Sequence, residues 1–375
     1  MIYSYDVNWD DDLKYAQKAV EFLEKDFNPN DYPMWSVNYL NWKLSNSNPA
    51  GKGFFHIMLC NDKVIGTASL TRKRLILDGK EILGGEIGDT YSSSKLRKIA
   101  KPKSLSFLDS NPSSYINKSI FGRCIAEITH RAERTGVDCI YGTPNKNSYP
   151  GYTSRLNFID LKEYMNFSMS RYSLEYFSTK LPKLIFASIS ILDKILFRSI
   201  SLFSSRKESK NKLILEEVFP SDDQINILWE TEKPHIGLSL IRDSLYWRHR
   251  YLKHPINNYK IISIRINNSL CGIIALRIIR DEYGFGTVMI SEWLVKKEIS
   301  FRVLLKSLIR FFDDNKIKKY NFWVQFSIKS FFYSIINGFV PTSRIPIIFF
   351  QSRNFVKIRK DIKDFKFFMG SSDNV

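Results

Sequence analysis

Apolar residues recur along this chain at two periods, and the order in which those periods alternate is itself repeated. From Asp11 to Phe27 the apolar positions Leu13, Ala16, Val20, Phe22 and Leu23 follow a helical spacing, with Asp10, Asp11 and Asp12 at the end where the helix dipole favours negative charge. Residues 35–44 form a second helical segment carrying Trp35, Tyr39 and Trp42. Strand patterns follow at 53–60, 63–71 and 82–91, with Asn61-Asp62 as the turn between the first two. A polar, basic stretch from Ser92 to Asn117 reads as a loop or insertion. A helix over 119–135 then places Ile120, Cys124, Ile128 and Ala132 on one face and stops at Gly136. Strand 138–142, a short helix over 148–155 and a strand over 163–172 complete the unit. The second unit reads as helices 221–232 and 239–250, strands 258–266, 270–280 and 286–295, helix 300–315, strand 319–326, short helix 328–336 and strand 345–351.

Particular residues mark the two units as copies. Trp42-Lys43-Leu44 followed by Pro49 and Gly66 is echoed by Trp247-Arg248-His249, Pro255 and Gly272, and proline and glycine are 17 residues apart in both. Downstream, Tyr141 leads to Phe158 and Phe322 to Phe339, again 17 residues apart. Two long copies predict paired domains, because a solenoid is assembled from a larger number of short repeats. The expected organisation is a first domain over 1–180, a connection over 181–212 and a second domain over 213–375. Within the connection, Leu181, Leu184, Ile185, Ile189, Leu192, Ile195 and Leu196 share a helical face opposite Ser190, Lys194 and Ser201. Asp193, Lys194 and Arg198 make it a poor membrane span. Its apolar face is suited to its own chain, to a second subunit in a homodimer, or to contact with a membrane surface.

Composition narrows the class. The chain has 375 residues, 44% of them apolar, enough for two buried cores. A net charge of +18 calls for an anionic partner: the phosphates of a cofactor, a nucleic acid or a lipid surface. Cys60, Cys124, Cys139 and Cys271 show no CxxC spacing, and the five histidines never fall in HxxxH or HExxH, so neither a metal site nor a disulfide framework is expected. The N-terminal residues lack the basic segment and apolar run of a signal peptide, and the expected location is cytoplasmic.

Ser119-Ile120-Phe121-Gly122 at the start of the long helix, and the run from Tyr141 through Gly142-Thr143-Pro144-Asn145-Lys146-Asn147-Ser148 to Leu156-Asn157-Phe158, resemble the GNAT acyltransferase fold. The resemblance implies an α/β (α+β) chain of two tandem GNAT-like domains, each a mixed central sheet flanked by helices. The tandem arrangement is similar to a branch that includes peptidoglycan aminoacyl transferases and N-acyltransferases of nucleotide-linked amino sugars. The details most resemble 3-hydroxybutanoyl transferases acting on dTDP-linked amino-dideoxyhexoses. That resemblance implies acyl-coenzyme A as co-substrate, a nucleotide-linked amino sugar as acceptor, no metal, no nucleic-acid partner, and a place in O-antigen-type polysaccharide biosynthesis. An aminoacyl-tRNA dependent transferase and a non-catalytic protein on the membrane surface stay open as alternatives.

Typical members carry an Arg/Gln-x-x-Gly-x-Gly/Ala loop whose bare amides hold the coenzyme's pyrophosphate. Here the segment runs from Ile116 to Gly122 with Gly122 as its one glycine. Lys118, Ser119, Ile120, Phe121 and Gly122 are the residues implied for the pyrophosphate, and Asn145, Ser148 and Tyr152 for the pantetheine and acyl portion, with Tyr152 placed to protonate the leaving thiolate. The glycine-rich strand from Gly84 to Thr90 suits close backbone approach and a bulge. Asp89 at its end would orient the amine, position a sugar hydroxyl or cap a loop. Glu292, in an otherwise apolar run, requires a partner, either substrate or a structural arginine such as Arg248. Glu86, Thr90 and Arg248 join the expected acceptor site, with Trp293 and Trp323 as stacking surfaces. Lys95, Arg97, Lys98, Lys101 and Lys103 suit a diphosphate or a solvated loop.

Overall fold

The computed structural model describes residues 2–8, 12–27, 35–93, 119–161, 166–172, 213–312, 317–325, 339–351 and 365–366. Lys118, the basic stretch from residue 94, the connection over 181–212 and the expected short helix over 328–336 lie outside them.

The first unit runs β1 (Ile2–Asp6), α1 (Leu13–Phe27), α2 (Val37–Leu44), β2 (Phe54–Cys60), β3 (Lys63–Leu77), β4 (Lys80–Ser92), α3 (Ile120–Arg134), β5 (Cys139–Gly142), α4 (Tyr149–Arg155), β6 (Ile159–Asp160) and β7 (Asn166–Tyr172). The second runs β8 (Ile214–Glu216), α5 (Asp222–Glu232), β9 (Leu238–Leu240), α6 (Ser244–Trp247), β10 (Lys260–Ile266), β11 (Ser269–Arg280), β12 (Gly286–Val295), α7 (Phe301–Phe311), β13 (Ile317–Gln325), β14 (Val340–Ile345), β15 (Ile348–Gln351) and β16 (Phe365–Lys366). The expected helix over 239–250 begins later than its apolar pattern suggested. Residues 238–240 are a strand that pairs with the far end of β3, and the helix starts at Ser244 behind an Asp243 cap and continues as wider turns to Leu252.

The repeat is visible in the backbone. Hairpin β2–β3 turns through Asn61 and Asp62, hairpin β10–β11 through Asn267 and Asn268, and all four residues have positive φ, as a tight right-twisted hairpin requires. Gly66 lies opposite Met58 beside a register shift, and Gly272 opposite Ile264 beside the same kind of shift. A Cβ on Gly66 would stand 2.3 Å from Cγ2 of Ile120, so this glycine lets the first turn of α3 lie against the sheet.

Along its main path each sheet is an antiparallel meander that turns parallel at one pair of strands, and in the first sheet β9, which pairs with β3, carries the short β16 beside it in parallel. The first has the order β1-β2-β3-β4-β5-β15-β6 and the second β14-β7-β13-β12-β11-β10-β8. The expected boundary near residue 180 therefore does not separate the sheets. Strand β7 of the first unit pairs with β13 and β14, while β15 of the second unit pairs with β5 and β6. The exchange is reciprocal, and the β3–β9 pairing ties the halves again.

Helix α3 buries Cys124, Ile125, Ile128 and Ala132 against one face of the first sheet and ends at Gly136, whose φ is +76°. Helices α1 and α2 cover the other face through Ala16, Ala19, Leu23, Leu40 and Leu44, with Trp35 just ahead of α2. Helix α7 plays the part of α3 in the second unit through Leu304, Leu305, Leu308 and Ile309. The four cysteines are free thiols. Among the described residues no helix is long and apolar enough to cross a membrane, and no cluster of metal-ligating side chains occurs.

Candidate functional site

Strands β4 and β5 pair in parallel at Gly84–Cys139, Gly85–Ile140 and Glu86–Tyr141, and beyond that point they part. On its other edge β4 takes a one-residue bulge, since Ser69 faces Gly88 but Thr67 faces Tyr91. The bulge holds Asp89 in the left-handed region at φ +44°, a conformation Asp tolerates better than most side chains. Gly84 and Gly85 serve a different purpose from the expected one: Cβ atoms there would collide with the side chains of Leu75 and Leu70, so these glycines admit the leucines against the strand.

Where the strands part, a cleft of about 840 Å³, counting its open mouth, is lined by Leu23, Trp35, the stretch Ile87–Tyr91, the turn Gly142–Asn145, Ser148, Tyr152 and Ile348. Asp89, Thr90, Asn145, Ser148 and Tyr152 are thus brought together in its wall. The Thr90 hydroxyl donates to the Gly88 carbonyl at 3.0 Å, which leaves Tyr152 O–H to donate to Thr90 Oγ1, also at 3.0 Å. Edge contacts with Phe121 and Phe158 at 5.2 and 5.0 Å fix the Tyr152 ring. Asn145 is held as a turn-former: its Oδ1 accepts from the N–H groups of Asn147 and Ser148, both at 3.0 Å, and from Ser148 Oγ at 3.1 Å. Ser119 caps α3 by accepting from Gly122 N–H at 3.2 Å. Gly122, the residue implied as the surviving phosphate-loop glycine, has therefore given its amide to the cap. Ile120 and Phe121 keep first-turn amides at the positive end of the helix.

The Asp89 carboxylate does not point into the cleft as a free base. It accepts from Trp35 Nε1–H at 3.0 Å and Ser69 O–H at 2.6 Å, and pairs with Lys43 Nζ at 2.5 Å, with both charged side chains out of solvent. Thr67 O–H donates to the Asp89 carbonyl at 2.7 Å. Sequence reasoning missed Lys43 as the counter-ion. The available signal was its place at i+3 from Leu40 and beside Leu44, on the apolar stripe of a short helix.

Aligning Gly66 with Gly272 places Asp89 opposite Glu292 and Thr90 opposite Trp293. Glu292 is fully buried and does have an arginine partner, but it is Arg242. Tyr246 O–H donates to Oε2 at 2.5 Å, and Tyr251 O–H donates to the same atom. Arg248, the expected partner, sits at the surface, pairs with Asp222 at 2.6 Å and lies over the Phe219 ring. Glu86 is buried and pairs with Lys73 at 3.2 Å on the sheet face away from α3. Trp293 packs on Phe301 and Phe322, and Trp323 is buried in β13. None of Glu86, Glu292, Arg248, Trp293 and Trp323 lines the cleft.

Burial, then the Glu292 charge, pushes the phenols of Tyr246 and Tyr251 well above the usual tyrosine range. A raised folded-state value means that their contribution is fully present below the unfolded value near 10 and is lost as pH climbs above it. Chemical denaturation across pH 8–12 is therefore expected to show stability declining above about pH 10. In a Tyr246→Phe variant the decline should be shallower.

A second, smaller pocket of about 450 Å³ lies where the halves meet, walled by Trp42, Thr71, Arg72, Lys73, Arg74, Tyr246, His249 and Arg250 among others, with no carboxylate in its lining. Trp42 stacks on His249 at 4.8 Å, and its indole N–H donates to the His249 carbonyl at 3.2 Å.

No family model and no curated protein matches the sequence. Solved structures match the fold across nearly the whole chain. A conserved protein of unknown function from Enterococcus faecalis V583, described as a probable N-acyltransferase, matches with a TM-score of 0.59 at 12% identity, over 94% of this chain and 73% of that one. The N-myristoyltransferase of Saccharomyces cerevisiae with bound myristoyl-CoA matches with a TM-score of 0.57 at 12% identity, over 94% and 83%. A tandem GNAT protein from the clavulanic acid biosynthesis pathway matches with a TM-score of 0.55 at 10% identity, over 94% and 99%. The fold is that of the GCN5-related N-acetyltransferases, present twice in one chain.

Proposed function

We propose that this chain is an N-acyltransferase that carries an acyl group from a coenzyme A thioester to a primary amine. The observation that carries the reading is the cleft between the parted strands β4 and β5, bounded by a bulged main chain on one side and a hydroxyl-bearing helix on the other. The amine nitrogen attacks the thioester carbonyl, a carbon–nitrogen bond forms, the carbon–sulfur bond breaks, and the amine proton is released to water, replacing the one that the thiolate takes up. Main-chain N–H groups of the Ile87–Tyr91 stretch, which β5 leaves unpaired, are the donors for charge on the carbonyl oxygen. Tyr152 supplies a proton to the departing thiolate, and Thr90 aims the phenol. The pyrophosphate is assigned to the first turn of α3, through the Ile120 and Phe121 amides and the Lys118 charge.

For the acceptor, the sequence resemblance supports the amine of a dTDP-linked amino-dideoxyhexose, the acyl group being 3-hydroxybutanoyl and the product a precursor of cell-surface polysaccharide. The carboxylate-free lining of the interdomain pocket and the net charge of +18 suit the diphosphate of such a substrate. Asp89 and Glu292 are reassigned from catalysis to holding the two bulges. The test is release of free thiol from acyl-coenzyme A thioesters, 3-hydroxybutanoyl-coenzyme A included, on addition of an amino-dideoxysugar nucleotide; no release with any pair would refute the proposal. Tyr152→Phe is expected to lower kcat by about 100-fold with KM little changed, the low end for a general acid because a thiolate leaves readily. An unchanged kcat would remove Tyr152 from the mechanism.

A further inference from the structure

Away from the cleft, positive charge gathers in a hollow where β1 ends and β2 begins. It measures about 800 Å³ counting its mouth, and Asp6, Asn8, Lys52, Phe54, Arg72 and Arg131 form most of its wall. Strand alternation turns Arg72 to the same side of β3 as Leu70, which packs with Phe54 under α3. Arg131 comes from the last turn of α3, so the hollow lies at the opposite end of that helix from the first turn assigned to the pyrophosphate, about 16 Å along the axis from Ile120. None of its residues lines the cleft, and of those named Arg72 alone also lines the interdomain pocket.

Two guanidinium groups share one aromatic ring here. Arg131 lies 4.7 Å and Arg72 5.3 Å from the centre of Phe54. The ring attracts either cation, but sharing it sets like charges side by side. Burial and then the Arg131 charge lower the pKa of Arg72. The two arginines differ in compensation. Arg131 pairs with Asp6 Oδ2 at 2.5 Å, and the other oxygen of that carboxylate meets His56 Nδ1 at 2.9 Å. Among the described residues no carboxylate pairs with Arg72: its Nη2 donates to the Thr135 carbonyl at 3.5 Å, the outer limit of a hydrogen bond, and its Nε is buried with no acceptor. Lys52 Nζ donates to the neutral Oδ1 of Asn8. Three cations and one carboxylate leave two positive charges in excess, and an unmade hydrogen bond inside a charged cluster costs the empty fold stability.

We infer that Lys52, Arg72 and Arg131 form a binding site for a phosphate group, separate from the thioester cleft. A phosphate monoester carries about −1.5 to −2 charges at neutral pH and three acceptor oxygens, which matches both the excess charge and the waiting donors. Guanidinium forks fit its oxygens two at a time. A carboxylate would neutralise a single charge. The hollow is wide enough for the group that bears the phosphate as well as for the phosphate itself.

The experiment is calorimetric titration of the full chain with inorganic phosphate at fixed ionic strength in a chloride buffer, with melting temperatures recorded alongside. Saturable binding with Kd on the order of 1 mM or tighter is expected. Arg72→Gln and Arg131→Gln should each weaken it by at least about 10-fold, while Asp6→Asn, which removes the competing carboxylate, should tighten it by about 3-fold or more. In phosphate-free buffer Arg72→Gln should melt at or above the wild-type temperature, because it relieves the repulsion; a purely structural arginine would lower it. No saturable binding by the wild type overturns the inference. So does phosphate binding that survives both glutamine substitutions. Loss in Arg72→Gln with normal binding in Arg131→Gln would move the anion to the interdomain pocket and overturn the assignment here. Should a glutamine variant fail to fold, unchanged or weaker binding by Asp6→Asn overturns it instead. Glucose 1-phosphate titrated in parallel separates the sources: tighter binding than inorganic phosphate supports a phosphorylated metabolite at this site, and equal or weaker binding supports free phosphate at it. The acyltransferase reading stands or falls independently, on thiol release.

Discussion

Replacing Glu292 with alanine is expected to lower the stability of the chain by about 3–5 kcal/mol, because the substitution leaves a buried guanidinium with no counter-ion. Arg242 is fully enclosed and its pair with Glu292 is out of solvent on both sides. Two tyrosine hydroxyls donate to the same carboxylate oxygen and would lose their acceptor together. Urea denaturation with the wild type and variant compared at one pH measures the loss. A change below about 1 kcal/mol would show that the network is not what holds this half together. The double variant Glu292→Leu with Arg242→Met separates charge from volume. Removing both ions is expected to be less damaging than removing one, since an apolar replacement of a buried pair is often neutral.

Asp89→Ala is the counterpart in the first half, and its effect should reach the cleft. It abandons the Lys43 ammonium in the core, removes the acceptor of Trp35 and Ser69, and puts alanine into a left-handed backbone position. A loss of about 3–5 kcal/mol is expected, accompanied by weakened coenzyme A binding, because the bulge forms one wall of the cleft. Asp89→Asn keeps a side chain that tolerates positive φ and accepts hydrogen bonds, so it should lose less on both measures. The outcome that would restore Asp89 to catalysis is an Asn variant that is fully stable, binds coenzyme A normally and has lost about 100-fold or more in kcat.

Much of this architecture was legible because it is written locally. Asn61-Asp62 and Asn267-Asn268 encode the same turn, Gly66 and Gly272 lie beside the same kind of register shift, and the helix that begins at Ser119 stops at Gly136 as its pattern predicts. The exchange of β7 and β15 was not legible, since an alternating pattern specifies that a segment is a strand and says nothing of which sheet receives it. Likewise Arg242 and Arg248 lie six positions apart on one segment, and the choice between them as partner of Glu292 depends on how α6 is set against the sheet. Polar residues were the least legible. Asp89 and Glu292 stand out as lone acids in apolar strands, a sign shared by catalytic groups and by buried anchors, and the sequence does not show the donors that surround each carboxylate in the fold.

The reciprocal trade of β7 and β15 has a bearing on descent. A one-unit ancestor that handed its last strand to a neighbour would have lived as an intertwined twofold pair, with neither subunit complete by itself. Duplication and fusion of such a unit would carry that embrace into a single polypeptide. In a single chain the halves are free to differ, and here Trp293 packs on Phe322 at the position where the first half has Thr90 in the wall of its cleft.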